Sequence, residues 1–346
     1  MGSGRVNPVQ DPSVGSTNVS PVRRVVLAGS VFGVLLLSAC AGGAEGGPAD
    51  SAAAPERAAP ARADYSVGAD PAYTANLVAA QGYVPADKQQ SLKNLIETPV
   101  AVWLFADDSA QTVREVLDRS AAGGSVPVLV AYNIPHRDDG GHSQGGSASA
   151  ASYIEWIQGI SDVIGQRDAV LVLEPDALAH LPDLPDTDAA ERVSMLAAAL
   201  KVLAANANTA VYLDAGNSTW RTPQVTAEFL RRISAHDVEV PGIALNVANY
   251  RPRAETEQYG LDVQHAYGEH LFVMIDNSRN GADGTGTEWC NPPTQSLGTI
   301  SDRTFDPDAK VEEVYVKVPG ESDGRCGISG KPAGEFDGDL LVAQLP

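Results

Sequence analysis

The chain predicts an α/β domain on parallel strands, either a barrel or a doubly wound sheet, and three observations carry that expectation. Seven short apolar runs recur from residue 65 onward: Val100–Phe105, Val126–Ile134, Ala169–Leu173, Thr209–Leu213, Gly242–Leu245, Leu271–Ile275 and Val314–Val318. Most are continuous rather than alternating, as strands covered on both faces read. The intervals of about 20–35 residues suit βα crossovers.

Within those intervals, Tyr153, Trp156, Ile157, Ile160 and Ile164 keep helical 3-4 spacing after a Ser-rich start, and Ala189–Ala205 is a run of strong helix formers. The aspartate string Leu181–Asp188 lacks the spacing of a calcium loop and reads as a solvated loop. The Gly-rich stretch Gly140–Gly146 lacks the GK[ST] of a phosphate loop and reads as a lid or a plain surface loop.

The chain has 346 residues, 24 Lys+Arg against 44 Asp+Glu and a formal charge of −20. That balance excludes nucleic acid as a partner, because counterion release needs clustered cations. Six His and three Cys, without CxxC or HExxH spacing, give no zinc framework. No GxSxG elbow occurs, so a Ser-His-Asp hydrolase is not indicated.

Residues 1–39 read as an address. A polar start with Arg5, Arg23 and Arg24 leads into the apolar run Val25–Ala39, too short to span a bilayer comfortably, and then Leu37-Ser38-Ala39-Cys40. This resembles a bacterial lipobox, which implies a lipoprotein signal peptide, lipidation of Cys40 and an exported protein anchored to the cell membrane, facing outside. A plain secretory signal with an incidental Cys, giving a secreted protein, is the alternative. Residues 40–64, the lipidated Cys and an Ala/Gly/Pro-rich linker with almost nothing to bury, read as disordered. The domain is expected over 65–346. With Cys40 taken, Cys290 and Cys326 remain, and an oxidising compartment favours their pairing.

Nearly every strand runs into a polar cluster: Asn133 to Asp139, Glu174-Pro175-Asp176, Asp214 to Asn217, Asn246 to Tyr250, Asp276 to Asn280, and Lys317 to Asp323. Residues just past the carboxyl ends of parallel strands converge on one face, where α/β barrels build active sites. Carboxylates gathered there raise one another's pKa, so one can stay protonated and donate to a glycosidic oxygen. Trp103, Trp220 and Trp289 lie at or beyond strand ends, where flat rings can stack on sugars.

The residues resemble glycoside hydrolase family 6, the inverting cellulases. The similarity rests on Tyr132-Asn133-Ile134-Pro135-His136-Arg137-Asp138, Val172-Leu173-Glu174-Pro175-Asp176-Ala177, Tyr212-Leu213-Asp214-Ala215-Gly216, Leu245-Asn246-Val247-Ala248-Asn249-Tyr250, Ser278-Arg279-Asn280-Gly281, Trp289-Cys290-Asn291-Pro292-Pro293 and Val316-Lys317-Val318-Pro319-Gly320-Glu321-Ser322-Asp323-Gly324. The resemblance implies a distorted seven-stranded parallel β/α barrel, TIM-barrel-like, and hydrolysis of β-1,4-glucan without metal or cofactor. It implies Asp176 as general acid, Asp138 tuning that acid and its water chain, and Asp323 as candidate base. Tyr132, Arg137, Asp214, Asn246, Lys317 and Glu321 match sugar-site positions, and Trp103, Trp220 and Trp289 match stacking platforms.

Three departures stand out. Where the family commonly pairs two Cys beside the acid's loop, this chain has Asp139 and Asp183, a change expected either to loosen the loop or to set two carboxylates face to face as a weak divalent-cation site. Asn217 stands where the family usually has His. No carbohydrate-binding module is attached. The expected function is an endo-acting, lipid-anchored, monomeric β-1,4-glucanase on an open cleft, taking a β-glucan polysaccharide or oligosaccharide as its partner. The alternative is a cell-surface sugar-binding lipoprotein on the same fold with weakened turnover.

Overall fold

The seven strands form one parallel sheet whose spatial order is the order in sequence. They are β1 (Val102–Leu104), β2 (Val128–Ala131), β3 (Ala169–Leu173), β4 (Thr209–Asp214), β5 (Gly242–Leu245), β6 (Phe272–Asp276) and β7 (Val311–Val314). The computed structural model describes residues 64–105, 109–282, 288–299 and 310–346. The expected leader, Cys40 and the linker up to residue 63 lie outside the described residues.

Helices fill the crossovers: α3 (Ser109–Ala122), α4 (Ala150–Ile164), α5 (Asp186–Leu203), α6 (Pro223–Ser234) and α7 (Arg253–Tyr267). Helices α1 (Pro71–Ala80) and α2 (Gln89–Ile96) precede the sheet, and α8 (Gly338–Gln344) follows it. Among the described residues, no helix is long and apolar enough to cross a membrane.

The two-residue period of a strand sorts side chains to opposite faces. Val128, Val130, Val170, Val172, Tyr212, Ala244, Met274 and Val314 pack together on the concave side. Leu129, Leu171, Leu173, Val211, Leu213, Ile243, Leu245, Val273 and Ile275 pack against the helices in a second cluster. Both faces are buried, so the strands read as continuous apolar runs. The edges meet at one parallel bridge, Val100 to Tyr315, where the Ala101 N–H donates to the Tyr315 carbonyl at 3.0 Å. The sheet thus curls into a distorted barrel with a seam between β1 and β7. Tyr73 and Leu77 of α1, Leu92 and Leu95 of α2, Tyr315, Val318 and Leu341 form a third cluster over that seam.

The last strand differs from expectation. It is Val311-Glu312-Glu313-Val314 rather than Val314–Val318, and both glutamates are buried. Glu312 accepts from the Tyr65 hydroxyl, while Glu313 pairs with Arg253 and accepts from the Asn277 amide. Glutamate is seldom buried without a partner, so the sequence pattern hides this strand. Beyond Val314 the N–H groups of Val316 and Lys317 leave the ladder and donate to the Asp276 carboxylate, each at 3.0 Å.

The aspartate string also differs. Leu181–Asp183 is a short 3-10 turn, and Asp186 and Asp188 occupy the first turn of α5. Negative charge there complements the helix dipole, which a search for solvated loops overlooks.

Candidate active site

Strand parity decides the first layer of the site. Glu174, Asp214 and Asp276 continue the inward rows of Val172, Tyr212 and Met274, so three carboxylates point inward at the carboxyl end of the barrel. All are at most 1% exposed. Each clamps backbone N–H groups of neighbouring loops. Glu174 accepts from Asn133 and Ile134 N–H at 3.0 Å. The Asp214 Oδ1 accepts from Asp176 and Gly216 N–H at 2.9 and 3.0 Å. Asp276 accepts from Ala248, Ser278, Val316 and Lys317 N–H between 2.9 and 3.0 Å, tying three loops together. Burial pushes the Glu174 carboxyl up to about 7, and pushes Asp214 and Asp276 up as well.

These clamps hold loops in uncommon backbone conformations. His136, Asp138, Glu174, Asp176, Asn246, Ala248 and Asn291 all have positive φ, and every one lies at this end of the sheet. Such strain persists where surrounding bonds over-determine it, commonly at functional sites.

Asp176 stands on one wall of the mouth, partly exposed. Burial pushes its carboxyl up to about 6; His180 pulls it down, while the charges of Asp138 and Asp323 push it further up. The three sequence-predicted aspartates therefore share one electrostatic environment. Asp138 accepts from the Ser143 N–H at Oδ2, 2.6 Å, and its Oδ1 has no hydrogen-bond partner among the described residues. A Cβ on Gly141 would lie 2.0 Å from that Oδ1, so only glycine leaves the carboxylate its place. Arg137 donates to the Ser143 carbonyl at 3.1 Å and lies 4.7 Å from the centre of the Tyr132 ring. It also bridges Gly145 in antiparallel fashion. The Gly140–Gly146 stretch is thus a turn folded onto Arg137 and Asp138, and Arg192 of α5 secures the strand end by donating to the Pro135 and His136 carbonyls at 3.0 Å.

Asp323 stands on the opposite wall, past β7, and is saturated. Arg279 reaches both its oxygens at 2.8 and 2.9 Å, the Tyr250 hydroxyl donates at 3.0 Å, the Asn291 N–H at 3.1 Å, and Lys317 Nζ lies 3.8 Å away. Burial pushes its carboxyl up, but Arg279, Lys317 and these hydrogen bonds outweigh that and hold it below its ordinary value. Cys290 and Cys326 form the expected disulfide, with Cα atoms 5.9 Å apart. Beside it, the buried Asn291 accepts from the Asp323 N–H at 2.9 Å and donates to the Gly324 carbonyl at 2.9 Å. The two walls touch at His142, whose ring a Cβ on Gly324 would meet at 2.3 Å; among the described residues that histidine makes no hydrogen bond.

The aromatic positions divide. Trp103 donates its indole N–H to the Val316 carbonyl at 2.8 Å, stands edge-on to Tyr132 at 5.4 Å and lies 5.9 Å from Lys317 Nζ. Trp220 lies 5.1 Å from the His180 ring, and Trp289 is 55% exposed. Glu321 is partly buried, which pushes its carboxyl up to about 7, against the pull of Lys317.

Two expected sugar contacts are turned inward instead. Asp214 gives its Oδ1 to the Asp176 and Gly216 N–H groups, while its buried Oδ2 has no hydrogen-bond partner among the described residues. Asn246 is fully buried, donates to the Asp276 carbonyl at 3.0 Å and accepts from the Arg251 N–H at 2.9 Å. Asn217 likewise accepts from the Thr219 N–H and hydroxyl at 3.0 and 2.8 Å, forming the turn before Trp220. The two replacement aspartates take separate partners: Asp183 pairs with His180 at 2.8 Å and Arg221 at 3.2 Å, and Asp139 accepts from Gln144 at 2.6 Å. The sequence reading missed Arg279, Glu174 and Asp276 as site residues. The signal for Arg279 was present, a lone cation inside the polar cluster after β6.

Residues 62–339 match the family described as Glycosyl hydrolases family 6. Endoglucanase 1 of Streptomyces halstedii is 38% identical over 279 residues, 78% of this chain and 84% of that protein. Endoglucanase A of Thermobispora bispora is 38% identical over 233 residues, 65% of this chain and about half, 51%, of its own length. Among solved structures, an endoglucanase of Mycobacterium tuberculosis in complex with methyl-cellobiosyl-4-deoxy-4-thio-β-D-cellobioside aligns with a TM-score of 0.73 at 32% identity, covering 83% of this chain and 98% of that one.

Proposed function

The chain belongs to glycosyl hydrolases family 6, a family of glycoside hydrolases, and from that premise we propose that it is an inverting, endo-acting β-1,4-glucanase with Asp176 as general acid. The observation that carries the assignment is the contrast in proton affinity at one mouth: Asp176 raised to about 6, Asp323 held below its ordinary value. Titratable groups pushed apart in this way identify acid and base roles.

In the proposed mechanism, the protonated Asp176 donates to the glycosidic oxygen as the C–O bond breaks. A water attacks the anomeric carbon from the opposite face, and its proton passes through a second water to Asp138, whose Oδ1 is free among the described residues. Asp323 keeps its negative charge throughout. Its lone pairs are taken by Arg279, Tyr250 and Asn291, so it acts as a fixed anion that helps keep Asp176 protonated rather than as the proton acceptor. Endo cutting is favoured by the endoglucanase relatives and by the His142 contact, which parts without breaking a hydrogen bond among the described residues.

The proposal extends to an exported protein held at the membrane by lipid on Cys40. Its support is the basic, apolar, small-small-Cys order of the leader.

The test is reducing-end release from barley β-glucan and from carboxymethylcellulose, with viscosity followed in parallel. The expected result is rapid viscosity loss and release that falls about 10²–10⁴-fold in a folded Asp176→Asn variant. A folded wild-type protein that binds oligosaccharide but releases no reducing ends would sink the hydrolase reading.

A further inference from the structure

A cluster of side chains that the proposed mechanism does not use ties two loops at the mouth of the barrel. His180 closes the turn that begins at Asp176, its N–H donating to the Asp176 carbonyl at 3.1 Å. The His180 Nδ1 lies 2.8 Å from the Asp183 Oδ2, and the same oxygen accepts from Arg221 Nη2 at 3.2 Å. Arg221 belongs to the loop after β4. Its Nε donates to the Ala179 carbonyl at 2.8 Å and its Nη1 to the Trp220 carbonyl at 2.9 Å. One guanidinium thus gathers the turn after Asp176, the Asp183 carboxylate and the backbone of Trp220.

The packing of the two loops agrees with that bonding. The His180 and Trp220 rings lie 5.1 Å apart. A Cβ on Gly216 would stand 2.7 Å from the Ala179 Cβ and 2.8 Å from the Trp220 ring, and Gly216 has a φ of +72°, so a larger residue would force the loops apart. Asp183 stands where the resemblance implies a cysteine paired with position 139. Here Asp139 accepts from Gln144 on its own turn, and the acid's loop is secured toward β4 instead of toward β2.

The cluster also carries charge to the acid. The titratable groups that act on Asp176 are His180 on its own loop, Tyr132 and Asp138 past β2, Asp214 at the end of β4 and Asp323 past β7. Burial pushes the Asp176 carboxyl up, His180 pulls it down, and Asp138 and Asp323 push it up again. His180 in turn is faced by Asp183 and, through the shared oxygen, by Arg221.

We propose that His180, Asp183 and Arg221 form a clasp between the acid's loop and the Trp220 loop, in which His180 is a positioning residue for Asp176. The inference rests on the reading of Asp176 as general acid. The clasp fixes that loop to the neighbouring aromatic platform without a covalent link, and it keeps the imidazole within electrostatic reach of the carboxyl that gives up its proton.

The test compares the full chain with His180→Gln and Asp183→Asn on a soluble cello-oligosaccharide across pH. The two side chains are 47% and 58% exposed, and exposed ion pairs add little to stability, so melting temperatures stay close to wild type. His180→Gln removes the cation and leaves a donor for Asp183. Its kcat/KM is expected to decline on the alkaline side about half a pH unit higher, because Asp176 then holds its proton more tightly. Asp183→Asn loosens both ties, and its kcat at the pH optimum is expected to fall roughly 3–10-fold while KM moves less than about twofold. An alkaline limb that stays in place in His180→Gln, or an unchanged kcat in Asp183→Asn, overturns the clasp. NMR titration of the Asp176 carboxyl carbon, assigned with Asp176→Asn, needs no substrate and keeps the two ideas separate. If wild type cleaves nothing, the glucanase reading falls, while an upward shift of that titration in His180→Gln still supports the positioning role and an unmoved one still overturns it.

Discussion

Asp176 sits on the wall built past β3 and β4, where its nearest electrostatic companions among acids are Asp138 and Asp323, and where His180 offers limited relief. Asp323 sits across the mouth past β7, in the grip of Arg279 and Lys317. Both are aspartates at the rim of the same barrel, and burial pushes both upward. The cations on one wall reverse that push, whereas the other wall lacks a comparable pair, so one carboxyl keeps its proton up to about pH 6 and the other gives it up below the ordinary aspartate range. The lesson is that burial alone does not assign roles to acids in a cleft; the placement of the neighbouring cations does.

The sharpest way to break the contrast is to remove the cation. Arg279→Met leaves the buried Asp323 with only the more distant Lys317 as a cation, which is expected to cost about 3–5 kcal/mol of stability. Denaturant unfolding measures it, and a loss below 1 kcal/mol would show that Lys317 and the hydrogen bonds suffice alone. A smaller effect is expected from loosening the same wall through its disulfide. Replacing Cys290 and Cys326 together with Ser should lower stability by about 2–4 kcal/mol. Because Asn291 and Asp323 bond reciprocally beside that link, turnover should fall too, while substrate affinity at Trp103 changes little.

The third test addresses the acid wall through pH. Asp176 must be protonated to donate, so turnover should decline about tenfold per pH unit once pH rises above about 6. Stability follows the same direction. Glu174 and Asp176 have folded pKa values raised to about 7 and about 6, so the folded state binds more protons than the unfolded one between about pH 4 and 7. Their contribution is present at low pH and is lost as pH rises through 6 to 7. Asp323, lowered in the fold, acts oppositely and weakens the fold only as pH falls into the acid range. A turnover profile flat from pH 5 to 8 would remove Asp176 from the acid role.

Much of this was legible in the chain. Continuous apolar runs determined four strands to within one residue, because parallel strands covered on both faces need no polar side. Helix α4 showed in its 3-4 spacing, and the Cys pair followed from the count of thiols. The polar clusters marked the correct end of the barrel. β7 was displaced because its two glutamates are paired by Tyr65, Asn277 and Arg253, partners as many as 247 residues distant.

What the sequence by itself determined is therefore the layer of the molecule governed by local rules: strand number, crossover helices, and which loops gather acidic residues. The tertiary structure alone decided how firmly Asp176 and Asp323 hold their protons. Glu174, Asp214 and Asp276 look like cleft carboxylates in sequence, yet strand parity points them inward and neighbouring N–H groups hold Glu174, Asp276 and the Oδ1 of Asp214. Asp138, Asp176 and Asp323 stay at the rim, and Arg279 and Lys317 set the proton affinity of Asp323 below that of Asp176. Distances between side chains from different strands set those outcomes, and such distances exist only once the barrel has closed.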